Sequence, residues 1–274
     1  MATGTLCLLL GTAGCHLQPP AVERAALLAE HGEVPRAIDV LVEHLKTEPK
    51  DVPARRQLIR LYGSVGRVDE AHTQTERLAE LLPRDSPVPA VELGHALELA
   101  HRYDEALAEY DRAAQIAPGA ALGPKTGGER AAHWGELELA EPRLAEAVRR
   151  DPSDASTWHA LGLARLGLGK LELARDAYRA GLRADPAALE NRLGLATVAL
   201  RANEPALALE QYESLLQARP TFTDALLGKS WSLILLGRFA AAEAELARAE
   251  ALGADPKSVA RQRVALRERK GRAP

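Results

Sequence analysis

The 274-residue sequence has few aromatic side chains: two Phe, three Trp and five Tyr, 4% of the chain. A β-sandwich or a single thick core draws heavily on aromatic and β-branched residues, and this scarcity argues against both. Cysteine is almost missing. Cys7 and Cys15 both lie in the first fifteen residues, so the rest of the chain offers no disulfide and no thiolate metal site. There is no excess of positive charge either. A net charge of −3 speaks against a dedicated nucleic-acid binder, which carries a basic footprint. No apolar run approaches the ~20 residues of a membrane-spanning helix. Any tie to a bilayer would have to come through a covalent lipid. What the chain has in quantity is Ala and Leu, within a hydrophobic share of 46% beside 27% charged residues. That mixture favours helices packed in thin layers.

The helices are ordered by a repeat. Pro49, Pro83, Pro118, Pro152, Pro186 and Pro220 follow one another at intervals of 34, 35, 34, 34 and 34 residues. With each Pro counted as position 32, position 20 is Ala37, Ala71, Ala106, Ala140, Ala174, Ala208 and Ala242. Position 15 is Gly32, Gly66, His101, Gly135, Gly169, Asn203 and Gly237, which suits the left-handed residue that ends a helix. Position 24 is mostly large: Leu41, Thr75, Tyr110, Leu144, Tyr178, Tyr212 and Leu246.

This pattern resembles the tetratricopeptide repeat (TPR). Residues 155–188 carry it most fully, with Trp158, Leu161, Gly162, Ala174, Tyr178 and Pro186 in place. The resemblance implies an all-α fold, a right-handed α-solenoid of about seven helix hairpins. These cover 18–51, 52–85, 87–120, 121–154, 155–188, 189–222 and 223–256, and a basic capping helix and tail occupy 257–274. Alanine at position 20 lets the two helices of a hairpin lie close, and the Pro stops the second helix. A pentatricopeptide array has a similar period but binds RNA, which the acidic balance disfavours.

Repeat four breaks the pattern. Pro124, Gly127 and Gly128 fall in its first helix and Pro142 in its second. Glycine costs about 1 kcal/mol against Ala inside a helix and proline ~3 kcal/mol. Two readings follow, a hinge at this repeat or a tolerated loose one. The string from Gly123 to Gly128 lacks the spacing of a phosphate loop. The histidines form no H-E-x-x-H pair, and no G-x-S-x-G elbow occurs. The expectation is a non-enzyme with no metal and no cofactor.

In TPR proteins the first helix of each repeat lines a concave surface, chiefly through positions 2, 5, 9, 12 and 13. At positions 5, 9 and 12 of repeats five to seven stand His159, Leu163, Leu166, Leu193, Thr197, Leu200, Leu227, Trp231 and Ile234. Seven of these nine are large and apolar, whereas repeats two to four offer a mixed, mainly charged set. The resemblance therefore implies a partner-binding groove over repeats five to seven, for an amphipathic helix or an extended apolar peptide. The alternative is that the C-terminal helix folds over the stripe. Position 6 does not supply the Lys/Asn/Arg trio with which some members clamp a terminal carboxylate. The tail 257–274 holds seven Lys and Arg against Glu268. That suits a solvated cap or an anionic partner.

Residues 1–14 resemble a bacterial lipoprotein signal. The apolar run Leu6–Leu10 precedes Thr12-Ala13-Gly14-Cys15, with Cys15 as the lipidated residue and a short tether over 15–20. The run is short and no Lys or Arg precedes it, unlike the usual signal. Lipoprotein signal and repeats together resemble outer-membrane TPR lipoproteins that help assemble machines such as type IV pilus secretins. The expected function is a protein–protein interaction scaffold in the bacterial envelope, facing the periplasm. A soluble cytoplasmic adaptor and a non-catalytic subunit of an enzyme complex are the alternatives. Nucleic acid is not an expected partner.

Overall fold

The computed structural model describes residues 19–272. The leader, Cys15 and the start of the tether lie outside the described residues. Among the described residues there are fifteen α-helices. Seven hairpins follow in order: α1 (Ala21–Glu30) with α2 (Val34–Thr47), α3 (Val52–Ser64) with α4 (Val68–Leu81), α5 (Val88–Leu99) with α6 (Tyr103–Ile116), and α7 (Leu122–His133) with α8 (Leu137–Arg150). They continue with α9 (Ala155–Gly167) and α10 (Leu171–Ala184), α11 (Leu189–Arg201) and α12 (Pro205–Ala218), and α13 (Thr223–Leu235) and α14 (Phe239–Ala251). A last helix, α15 (Pro256–Arg272), follows. The all-α repeat fold is as the sequence implied. The chain forms two compact units, one made of residues up to Arg84 with His95–Arg102, the other of Asp85–Gly94 with Tyr103 onward.

The repeat positions translate directly into geometry. All seven position-15 residues have positive φ, from 60° at His101 and Asn203 to 88° at Gly135. The amide that follows each of them reaches back five residues to close the helix end, as from Arg67 N to Tyr62 O (2.9 Å) and from Lys170 N to Arg165 O (2.9 Å). All seven position-20 alanines are fully buried, and the position-24 side chains beside them are buried too. Tyr178 shows why small residues are needed around it. A Cβ on Gly162, in its own repeat, or on Gly194, in the next, would stand 2.4 Å from its ring. Burial raises the Tyr178 phenol well above its usual pKa range.

Five helix B ends, those of α2, α6, α8, α10 and α12, are finished by the repeat that follows. Three position-4 side chains donate to the carbonyl of the preceding proline: Arg55 Nη2 to Pro49 O (2.5 Å), Trp158 Nε1 to Pro152 O (2.9 Å) and Arg192 Nη2 to Pro186 O (3.2 Å). Where position 4 has no donor, at Pro124 and Leu226, an arginine from the second helix takes the role. Arg150 reaches Ala117 O at 3.2 Å, and Arg248 reaches Pro220 O at 2.6 Å. Carbonyls left over at a helix C-terminus thus gain charged or polar donors, which also suits the helix dipole.

Repeat four is closely packed, which favours a tolerated repeat over a hinge. Helix α7 runs through Gly127 and Gly128, both buried. A Cβ on Gly128 would lie 2.7 Å from Leu144 Cγ, and one on Gly127 3.0 Å from Tyr110 Cβ. Glycine here permits close helix packing, as at the equivalent Gly94 and Gly162. Helix α8 continues through Pro142. The next residue, Arg143, grips Asp111 of α6 by two hydrogen bonds of 2.8 and 2.6 Å and donates to Leu139 O at 2.7 Å. The division into units does not fall at this repeat either.

Candidate partner-binding groove

The candidate groove belongs to the second unit and is built on α9, α11 and α13. Helix α9 starts at Asp154, whose carboxylate accepts from Ser156 N (2.9 Å) and Thr157 N (3.2 Å) and from Lys125 Nζ (2.6 Å). Lys125 Nζ also lies 3.3 Å from Ser156 Oγ. Burial works against the Asp154 charge, but the bonds from Lys125, Ser156 and Thr157 outweigh it and hold the carboxyl well below the usual range. One turn on, His159 is half-buried with its ring tilted against Tyr178, centroids 5.8 Å apart. Its Nδ1 is buried without a hydrogen-bond partner, and burial lowers its pKa against the pull of Glu190.

Position 9 of α9 presents Leu163, 50% exposed. Leu193, Leu200, Leu227 and Trp231 are half-buried, resting on the core beneath them. Thr197 is half-buried and donates to Leu193 O at 2.9 Å. Leu166 does not belong to the groove surface, contrary to the sequence reading, and Ile234 is buried at the wall of a cleft and not on the open row. Leu166 is 8% exposed and packs with Ala174, Tyr178 and Val198, and Ile234 is 1% exposed within the C-terminal core. Position 12 lies near the end of helix A, where the side chain turns toward the adjoining helices. Leu200, at the same position, keeps partial exposure.

Helix α15, expected from the sequence as a basic cap, also borders the row on α13. It packs on α13 and α14, and it does so with the positions that pack the first helices of repeats five to seven on their predecessors. At position 3, Val259 is buried like Thr157, Asn191 and Ala225; at position 10, Leu266 is buried like Ala164, Val198 and Ser232. Val264, at position 8, is 52% exposed. Adding one more period to residue 223 gives 257 and would have revealed this. The helix leaves Leu163 on α9 open. It lies beside α13 and forms two clefts with it. One, of about 380 Å³, is lined by Leu227, Trp231, Ser258, Arg261, Gln262 and Ala265. The other, of about 600 Å³, is lined by Trp231, Ile234, Leu235, Phe239, Ala265, Glu268, Arg269 and Arg272 among others. Gln262 Nε2 donates to Leu227 O at 3.0 Å and pins the first cleft.

Among the described residues no group of His, Cys, Asp and Glu is placed to hold a metal ion, and no helix is long and apolar enough to cross a membrane. Stacked helix hairpins presenting a line of first-helix side chains define a helical-repeat interaction protein. Residues 135–188 and 193–259 match the family model described as tetratricopeptide repeat, so the chain contains tetratricopeptide repeats. Among solved structures, it is similar to PilF of Pseudomonas aeruginosa, at 20% identity over 80% of this chain and 98% of that one, with a TM-score of 0.58. The C-terminal part of a TPR repeat-containing protein from Cytophaga hutchinsonii matches at 16% identity, over 87% and 98% of the two chains, with a TM-score of 0.64. MamA matches at 19% identity, over 58% and 93%, with a TM-score of 0.55. No curated protein matches the sequence. Tetratricopeptide repeats are protein–protein interaction scaffolds, typically without catalysis of their own.

Proposed function

We propose that this chain is an interaction scaffold held by lipid at Cys15 in a bacterial envelope, at the outer membrane and facing the periplasm. There it assists assembly of a multiprotein machine of the pilus-secretin type or similar. The observation that carries the interaction reading is the row His159, Leu163, Leu193, Thr197, Leu200, Leu227 and Trp231. Most of it is apolar, and it is left unburied on three successive first helices. The fold likeness to PilF and the string Ala13-Gly14-Cys15 support the envelope setting.

A photo-crosslinking residue at Leu163 in the native host tests the groove. A partner adduct is expected there and not from Leu173, an equally open leucine on helix B of the same repeat. Adducts at neither position, or equally at both, overturn the groove reading. Mass spectrometry tests the anchor. A chain beginning at a triacylated Cys15 is expected, and an unprocessed chain beginning at Met1 overturns it.

A further inference from the structure

Helix α15 changes the chemistry at the end of the groove. The row on α9, α11 and α13 is mostly apolar, and it leads to a helix with cations at the positions that line a groove. Taking residue 257 as position 1, Arg261 stands at position 5 and Arg269 at position 13. Both are exposed, and among the described residues neither forms an ion pair, nor does Arg272. Arg261 edges the first cleft, Arg269 and Arg272 the second, and Trp231 with Ala265 forms the shared apolar floor. Glu268 is the one acidic side chain at the second cleft.

We propose that this groove takes a peptide segment in which apolar residues are followed by a cluster of acidic ones, the acidic end seated on α15. The inference rests on the groove reading above and adds the partner's chemistry. Apolar side chains bury against Leu163, Leu200 and Trp231, while carboxylates meet guanidinium groups that form bidentate bonds well. Packed helices lie roughly 10 Å apart, and an extended peptide rises ~3.3 Å per residue. Each groove helix therefore spans about three peptide residues, and about a dozen cover α9 to α15. The acidic cluster falls in the last quarter of that length.

The test is selection of a random 12-residue peptide library on the full chain. It is repeated on the double variant Arg261→Glu with Arg269→Glu, and each selected peptide is measured by fluorescence polarisation. Both positions are solvent-exposed, and a matching thermal melt establishes that the variant is folded. The expected peptides carry an apolar cluster with two or more Asp or Glu at one end. Their affinity falls at least tenfold on the double variant and recovers there when their acidic residues are changed to Lys. Apolar peptides without acidic enrichment, or affinities unmoved by the Arg changes, overturn the inference and leave the groove reading standing. No enriched peptide at all overturns both. Vesicles of phosphatidylcholine with one-third phosphatidylglycerol are the further arm. If the arginines govern vesicle binding and no peptide, α15 reads a lipid surface and the proposal falls.

Discussion

The carboxylate of Asp154 caps α9 and also holds Lys125 of the preceding helix A. Asp154→Ala is expected to cost ~1–2 kcal/mol, the range for a lost N-cap, since it also leaves Lys125 without its main acceptor. Its pH dependence has a definite sign. The folded carboxyl titrates below the ordinary 3.8, so the unfolded chain binds the proton first. The contribution is complete above about pH 4 and is lost as pH falls from there through the lowered folded value. Urea unfolding of wild type and variant at pH 7 and at pH 3 checks this, with the gap between the two narrowing at the lower pH. His159 acts in a higher window. Burial lowers its pKa from 6.5, so the native state resists a proton that the unfolded chain accepts. Stability therefore declines as pH drops below about 6.5, and His159→Gln should flatten that part of the curve. The glycines of α7 and the His159 ring show the same limit of sequence reading. Composition names the residue type, but only the neighbour that approaches it gives its meaning.

Single helices follow a common code, and repeat four shows what its apparent breaks mean. If Gly128 served flexibility, Gly128→Ala would stabilise α7 by about 1 kcal/mol through helix propensity. In the packed structure the new methyl meets Leu144 instead. Overpacking of this kind costs roughly 1–3 kcal/mol, so the variant is expected to be the less stable one. Thermal unfolding decides the sign. Amide exchange gives a second measure. Residues 121–145 should be as well protected as 155–180, because local opening is cheap only where buried contacts are few. Faster exchange confined to 121–145 would restore the hinge. Asp255 begins α15 as Asp154 begins α9, accepting from Ser258 N at 2.9 Å. The last helix thus carries the start signal of a repeat helix, and that signal was legible in Asp255-Pro256-Lys257-Ser258.

At the scale of the whole molecule, each hairpin depends on its neighbours for stability, and α15 packs on the seventh hairpin. Truncation after Asp255 removes Val259 and Leu266, 2% and 5% exposed. Buried side chains of that size contribute about 1.5–3 kcal/mol each. The truncated chain is expected to unfold at lower denaturant, with α13 and α14 losing amide protection first. An unchanged midpoint would mean that α15 is an appendage and not a packed helix. The sequence by itself determined the repeat: its length, its alanine contacts and its left-handed helix ends. Those features come from interactions inside one hairpin, between residues a few positions apart, so they recur in the chain at a fixed interval. The tertiary structure decided which side chains face outward. Leu166 and Ile234 turned inward, Gly128 proved to be a packing residue, and α15 proved to pack on α13 and α14. Each of these outcomes depends on the helix that lies alongside, and a repeat pattern fixes the spacing of positions without fixing what the adjoining surface leaves open.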